Sequence, residues 1–212
     1  MKEIGGFDTV APFYDMLAAI VFGRSIRKAQ RCFLNNIQKS DKILILGGGT
    51  GWILVHLLEV NPACEICYVD SSSAMIAKAK ANAGTIGNAR VHFIHGTQDQ
   101  LPMHVTYDAV IVNFYFDLFS TASLALILKQ IRSVISPNGK LLVSDFVRNN
   151  NWWQSVLLEG MYQFFRLLCD IEAVNLPDWQ RQLLACRFEL KTSKYFYRNF
   201  IRSAVYEIGN EL

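Results

Sequence analysis

The sequence predicts an α/β fold built on a doubly wound, mostly parallel sheet. Three observations carry this reading: five near-continuous apolar runs of strand length, helical patterns between them, and a cluster of glycines where the first run ends. Strands buried on both faces by helices read as unbroken apolar runs, whereas half-exposed strands alternate.

The runs fall at 42–46, 65–69, 90–94, 107–113 and 140–146. Between them, a helix over 52–60 stops at Asn61-Pro62, one over 72–83 near Gly84, and one over 121–135 at Pro137-Asn138-Gly139. After Phe146 the rhythm changes to an aromatic amphipathic helix over 152–168 and a short helix opening at Pro177-Asp178. Two last strand-like runs, 188–197 and 200–208, are joined by Arg198-Asn199, which predicts a carboxyl-terminal antiparallel hairpin completing a seven-stranded sheet.

With 212 residues and 51% hydrophobic composition, the chain can bury a sizeable core as a single domain, 1–212. No linker, repeat or block of like charge interrupts it. The net charge of +3 is scattered, which argues against nucleic acid as a partner. The opening MKEIGGFDTV has no apolar secretory core, and no run approaches the roughly 18 apolar residues of a membrane span. A cytoplasmic protein without stable membrane insertion is expected. Five cysteines, an odd number, suit reduced thiols. Cys64 and Cys67 have metal-like spacing but no second pair, and His56, His92, His95 and His104 have no ligand spacing, so no metal is expected.

The chemistry concentrates where Ile43-Leu-Ile-Leu-Gly-Gly-Gly-Thr-Gly51 leaves its strand. A strand running into glycines and then a helix exposes unpaired N–H groups, and missing side chains let a ligand approach. Asp70 ends the next strand, where a carboxylate suits a pair of ribose hydroxyls. A dinucleotide loop would want a third glycine at position 52, and the chain has Trp52 there. No Gly-Lys-Ser/Thr follows, so the phosphate P-loop fails as well.

At this point the chain resembles the class I S-adenosylmethionine-dependent methyltransferases. Ile43 to Gly51 is similar to their first motif, and Asp70-Ser-Ser-Ser-Ala-Met75 to the acid and S-x-x-M that hold the ribose and flank the adenine. Phe93-Ile-His-Gly96-Thr-Gln-Asp-Gln-Leu-Pro102 looks like the third motif, Tyr107 to Asn113 like the fourth strand, and Ser136-Pro-Asn-Gly-Lys140-Leu141 like the turn before the fifth. Phe7-Asp-Thr-Val-Ala-Pro-Phe-Tyr14-Asp15 resembles the entrance segment of quinone-type and related small-molecule methyltransferases. Asn113 to Phe119, Phe164-Phe-Arg166 and Leu176-Pro-Asp178 look like a bacterial subgroup of unknown substrate.

The resemblance implies a Rossmann-like methyltransferase fold, with 1–36 as an amino-terminal helical cap and 147–185 as a helical lid. S-adenosylmethionine is the implied cofactor, touched by Tyr14, Gly47, Gly48, Gly49, Thr50, Gly51, Asp70, Ser71, Met75, Thr97, Gln98, Asn113 and Phe114. Asp117 and Asp145 are the acids expected nearest the transferred methyl, where a carboxylate can remove an acceptor's proton. The implied reaction moves a methyl group to O, N or C of a small, aromatic or apolar molecule. Two departures stand out: Ile45 where the family usually has an acid, and Thr97 where it usually has aspartate. They support the alternative of a non-catalytic, methyltransferase-like scaffold. A nicotinamide oxidoreductase is opposed by Trp52. Trp152, Trp153, Met161, Phe164 and Phe165 form an aromatic stripe expected as core, lid or the face of a homodimer.

Overall fold

Every run expected to be a strand pairs into one sheet in a computed structural model of the chain. It describes residues 8, 14–38, 41–102, 104–149, 151–169 and 171–209, with backbone alone at 14, 15, 17, 86 and 88. In chain order the elements are α1 (Tyr14–Phe22), α2 (Ser25–Arg31), β1 (Lys42–Leu46), α3 (Trp52–Val60), β2 (Glu65–Asp70), α4 (Ser73–Asn88), β3 (Val91–His95), β4 (Tyr107–Asn113), α5 (Thr121–Val134), β5 (Ile135–Phe146), α6 (Trp152–Leu168), α7 (Trp179–Ala185), β6 (Phe188–Phe196) and β7 (Ile201–Ile208). The sheet order is β3-β2-β1-β4-β5-β7-β6. The first five strands are mutually parallel, and β7 runs antiparallel to both β5 and β6. The winding reverses between β1 and β4, which opens a crevice at their carboxyl ends.

Strand alternation explains why helices cover both faces. Leu44, Leu46, Val110, Val112, Leu141 and Val143 point to one side and pack against Leu124, Ile127, Leu128 and Ile131 of α5 and against Trp179 and Leu183 of α7. Ile43, Ile45, Ile66, Tyr68, Ala109 and Ile111 point to the other and meet Ile53, Leu54 and Leu57 of α3 with Ala79 of α4. A third cluster, with Phe22, Phe146, Leu158, Tyr162 and Phe200, ties α1 and α6 to the carboxyl edge. Caps fix the helix starts: Ser72, Ser120 and Asp178 accept from the N–H groups of Met75, Ser123 and Arg181.

Two expected boundaries are corrected. The helix expected to stop near Gly84 runs on to Asn88, because glycine takes the step at φ 65°, ψ −173° that bends the chain and lets the helix resume. The fifth strand begins at Ile135 instead of 140. Tyr107 pairs with Ile135 and Ala109 with Lys140, so Pro137-Asn138-Gly139 is an irregularity within the strand pair. Between β6 and β7 the hairpin turns through three consecutive residues of positive φ, Tyr197, Arg198 and Asn199.

Candidate functional site

A cleft lies over the carboxyl ends of β1, β2 and β4, with the α1–α2 segment on its far side. Its walls include Gly47, Gly48, Gly49, Thr50, Asp70, Ser71, Met75, Thr97, Asn113 and Phe114. Ten of the thirteen residues expected to touch the cofactor are thus brought together.

Asp70 organises the loop. Its Oδ2 accepts from the Gly49 N–H at 2.8 Å and its Oδ1 from the Ser72 N–H at 2.9 Å. Tyr68, two residues earlier and therefore on the same face of β2, donates its hydroxyl to the Gly49 carbonyl at 2.8 Å. Gly49 is held at both ends. It has φ +65°, and a Cβ added there would meet nothing within 4 Å, so that side of the residue opens into free space. Burial pushes the Asp70 carboxyl up from its ordinary range, opposed by the two N–H bonds. An ionised carboxylate has roughly four acceptor sites, so about two remain for a vicinal diol.

The other polar groups fit a nucleoside as well. The Asn113 Nδ2 is buried without a hydrogen-bond partner among the described residues, at a position lining the cleft. Such an orphaned donor is costly unless a ligand satisfies it. Met75 supplies an apolar wall beside Gly96 and Thr97. Thr97 caps the short turn Gln98–Gln100 by accepting from the Asp99 N–H. Asp8, inside the expected entrance segment, accepts from the Ser72 hydroxyl and the Ala74 N–H at the start of α4; residues 7 and 9–13 of that segment lie outside the described residues. These bonds, the Ser72 hydroxyl foremost, hold the Asp8 carboxyl below its ordinary value.

Two expected contacts, Gly51 and Gln98, are placed elsewhere. Gly51 does not line the cleft. Its φ is +83°, and a Cβ there would stand 2.7 Å from the Ala79 Cα, so it permits close packing of α3 on α4. That is the helix-packing work sought at position 52, done one residue earlier. Gln98 is buried behind the wall, where its Oε1 accepts the Tyr115 hydroxyl at 2.8 Å. Tyr14 begins α1, and its side chain lies outside the described residues.

The two candidate acids have different surroundings. Asp145 is fully buried and lines neither cavity. Its carboxylate accepts from the N–H groups of Phe116 at 2.9 Å, Phe146 at 2.7 Å and Tyr115 at 3.3 Å. It is a staple for the loop after β4, not a ligand-facing acid as expected. The loop needs one, because Phe114 holds φ +50°, a strained value for a side-chain-bearing residue. Asp117 lies on the same loop and lines a second cavity, otherwise walled by apolar side chains such as Val21, Phe22, Phe146, Leu157, Met161 and Phe165. Its Oδ1 is buried without a partner among the described residues. Burial pushes its pKa up to about 7. Burial and the nearby Asp117 charge raise Asp145 as well. Ala18, Ile26, Phe114 and Leu118 line both cavities, which therefore adjoin.

Tyr68 and Arg27 are site residues that sequence reasoning missed. Tyr68 carried a signal: it lies two residues before Asp70, and strand alternation puts it on the same face. Tyr115, expected beyond Asn113 as an aromatic face near the sulfonium, does line the cleft. Cys64 and Cys67 are buried thiols, the former donating to the Asn61 carbonyl. Among the described residues no group of three or more His, Cys, Asp or Glu is placed to hold a metal, and no helix is long and apolar enough to cross a membrane.

Comparison with known proteins agrees with this geometry. Residues 43–139 match the family model of a methyltransferase domain. A demethylmenaquinone methyltransferase of Thermus thermophilus is 32% identical over 210 residues, which cover 88% of this chain and 94% of that protein. A ubiquinone/menaquinone biosynthesis C-methyltransferase of Francisella philomiragia is 30% identical over 152 residues, 68% of this chain and 59% of that protein. Among solved structures, the DhpI–SAH complex superposes with a TM-score of 0.69 at 17% identity, covering 97% of this chain and 94% of that one. At that identity the likeness speaks for the fold.

Proposed function

The chain belongs to the class I S-adenosylmethionine-dependent methyltransferases and methylates a small molecule, and we propose that its acceptor is an apolar hydroxylated ring of the quinol type, methylated at carbon. The observation that carries this reading is the second cavity: an apolar chamber adjoining the cofactor cleft, with Asp117 as the one polar side chain among its described lining residues. An acceptor bearing a carboxylate would meet an acid there and no cation. The Thermus relative, matched over 94% of its length, is named for a demethylated menaquinone, a molecule of that character. The relatives named above lend nothing to a non-catalytic scaffold.

When bound, S-adenosylmethionine supplies an electrophilic methyl group. The chain's own residues do the rest. Asp70 accepts from the ribose hydroxyls, Ser71, Met75 and Thr97 flank the adenine, and the glycine loop with Asn113 and Phe114 lines the approach to the reacting sulfur. Phe114 stands between the cavities and, with Phe146 at a ring-centroid distance of 5.0 Å, keeps water from the space where they meet. The Asp117 carboxylate would take the proton of a ring hydroxyl, which pushes electron density onto the neighbouring ring carbon. As that carbon bonds to the methyl group the methyl–sulfur bond breaks, the carbon then loses its own proton to solvent, and Asp117 returns a proton to the oxygen. Asp145 holds the loop that carries Phe114 and Asp117. A group poised near neutral pH is suited to this transfer.

We assign the described part of 1–36 as a cap and 147–185 as a lid, supported by α1 and α6 both lining the acceptor cavity; residues 1–7 and 9–13 lie outside the described residues. Exposed Trp152, Val156, Phe164 and Leu167 along α6 support a homodimer face, which sedimentation at rising concentration tests. Five unbridged cysteines support a cytoplasmic setting. The proposed acceptor is tested by incubating the protein and methyl-labelled cofactor with a reduced naphthoquinone lacking its ring methyl, against a small carboxylate-bearing acceptor. Label on the ring carbon of the first and none on the second supports the assignment; the reverse pattern rejects it.

A further inference from the structure

The position at which the family usually carries an acid for the polar methionyl end holds Ile45, which is 1% exposed and packed in the core against Tyr68 and Ile53. Nothing at that position can bind an amino-acid tail, so recognition of that end must come from elsewhere. Among the described residues lining the cleft only two are charged, Asp70 and Arg27. They sit on opposite sides. Asp70 ends β2, whereas α2, which bears Arg27, packs over β5 and β7: its Ala29 carbonyl accepts the hydroxyls of Ser144 and Ser203. A nucleoside gripped by Asp70 and extending past Asn113 therefore directs its tail toward α2.

Arg27 is held where such a tail would arrive. Its guanidinium lies over the Trp52 ring, 5.1 Å from the centroid, and Trp52 in turn stacks on His56. Stacking on an indole orders the planar fork while leaving its N–H edges free for a carboxylate. Trp52 is the first residue after the glycine loop, so the stack ties the cation to the loop that holds the rest of the ligand.

We propose that Arg27, steadied by Trp52, binds the carboxylate of the cofactor's methionyl end and so gives that end a charged contact, where Ile45 leaves its ammonium without an acid at the usual position. This rests on the cofactor reading above. It makes α2 part of the cofactor site, and the cap a source of binding energy as well as cover.

The test compares two ligands by calorimetry. S-adenosylhomocysteine carries the amino-acid tail, and 5′-methylthioadenosine keeps the adenine, ribose and sulfur without it. Arg27→Met preserves an unbranched stem against Trp52 but removes the charge. The expected result is a loss of about tenfold or more in affinity for S-adenosylhomocysteine, as for a charge-assisted hydrogen bond, with 5′-methylthioadenosine unchanged. Arg27→Lys should fall between, keeping the charge without the fork. Unchanged S-adenosylhomocysteine affinity in Arg27→Met, or an equal loss for both ligands, overturns the assignment. Failure of the unaltered protein to bind either ligand would overturn the cofactor reading itself, an outcome distinct from these two.

Discussion

Asp70 and Gly49, 21 residues apart, are joined by a 2.8 Å hydrogen bond from the Gly49 N–H to Asp70 Oδ2. The acid that ends β2 thus positions the loop after β1 and keeps acceptor capacity for a ligand. Asp70→Ala removes both functions. It should weaken S-adenosylhomocysteine binding by about a hundredfold, the equivalent of two charge-assisted hydrogen bonds, and calorimetry reads this directly. Unchanged affinity would remove Asp70 from the ribose site.

Tyr68→Phe isolates the other end of the same clamp. It leaves the half-buried Gly49 carbonyl without its 2.8 Å partner and should cost about 1 kcal/mol of stability, the usual net contribution of one hydrogen bond. The loss of ligand affinity should be much smaller than for Asp70→Ala. Urea unfolding with and without S-adenosylhomocysteine separates the two effects.

Gly49 and Gly51 should respond differently to alanine. At Gly51 the added Cβ meets the Ala79 backbone at 2.7 Å, in addition to the strain of φ +83°. Folding should suffer by several kcal/mol, as overpacking and left-handed strain combine. At Gly49 the Cβ has room, so Gly49→Ala should cost only about 1–2 kcal/mol in stability while the methyl group enters the cleft and impairs binding. Thermal melts paired with ligand titration show whether stability and affinity part in this way.

Asp117 links pH to stability and to catalysis with opposite signs. Its folded pKa of about 7 stands above the unfolded carboxyl value near ~4. Its protonated form is therefore favoured by folding. That stability is fully present below the unfolded pKa and is lost as the pH rises through about 7. Activity, which needs the ionised base, should rise through the same range. Asp117→Asn should flatten the stability profile, so that its advantage in melting temperature over the parent is larger at pH 8 than at pH 5.

Most of the sheet was legible because its parallel strands read as near-continuous apolar runs, and the Asn61-Pro62 signal marks the end of α3. β1, β4, α3 and α6 have the expected bounds. Gly84 and Pro137-Asn138-Gly139 misled because a breaker marks a backbone irregularity without saying whether the element resumes beyond it. The site was legible where chemistry is local, in the glycine run and Asp70. It was not where burial decides the role: Asp117 and Asp145 are the same residue type near the ends of neighbouring strands, yet three N–H donors surround one and an apolar cavity the other. Arg27 was invisible because its importance arises from Trp52, 25 positions away, and from the filling of Ile45 into the core.

The most direct test of the account is methyl transfer from labelled S-adenosylmethionine to a reduced, ring-demethylated naphthoquinone at pH 8, comparing the parent with Asp117→Asn. The account predicts a carbon-methylated product from the parent and a rate about 10²–10⁴ lower in the variant, with S-adenosylhomocysteine affinity retained in both. Equal rates, or no product from a parent that binds S-adenosylhomocysteine, would contradict it.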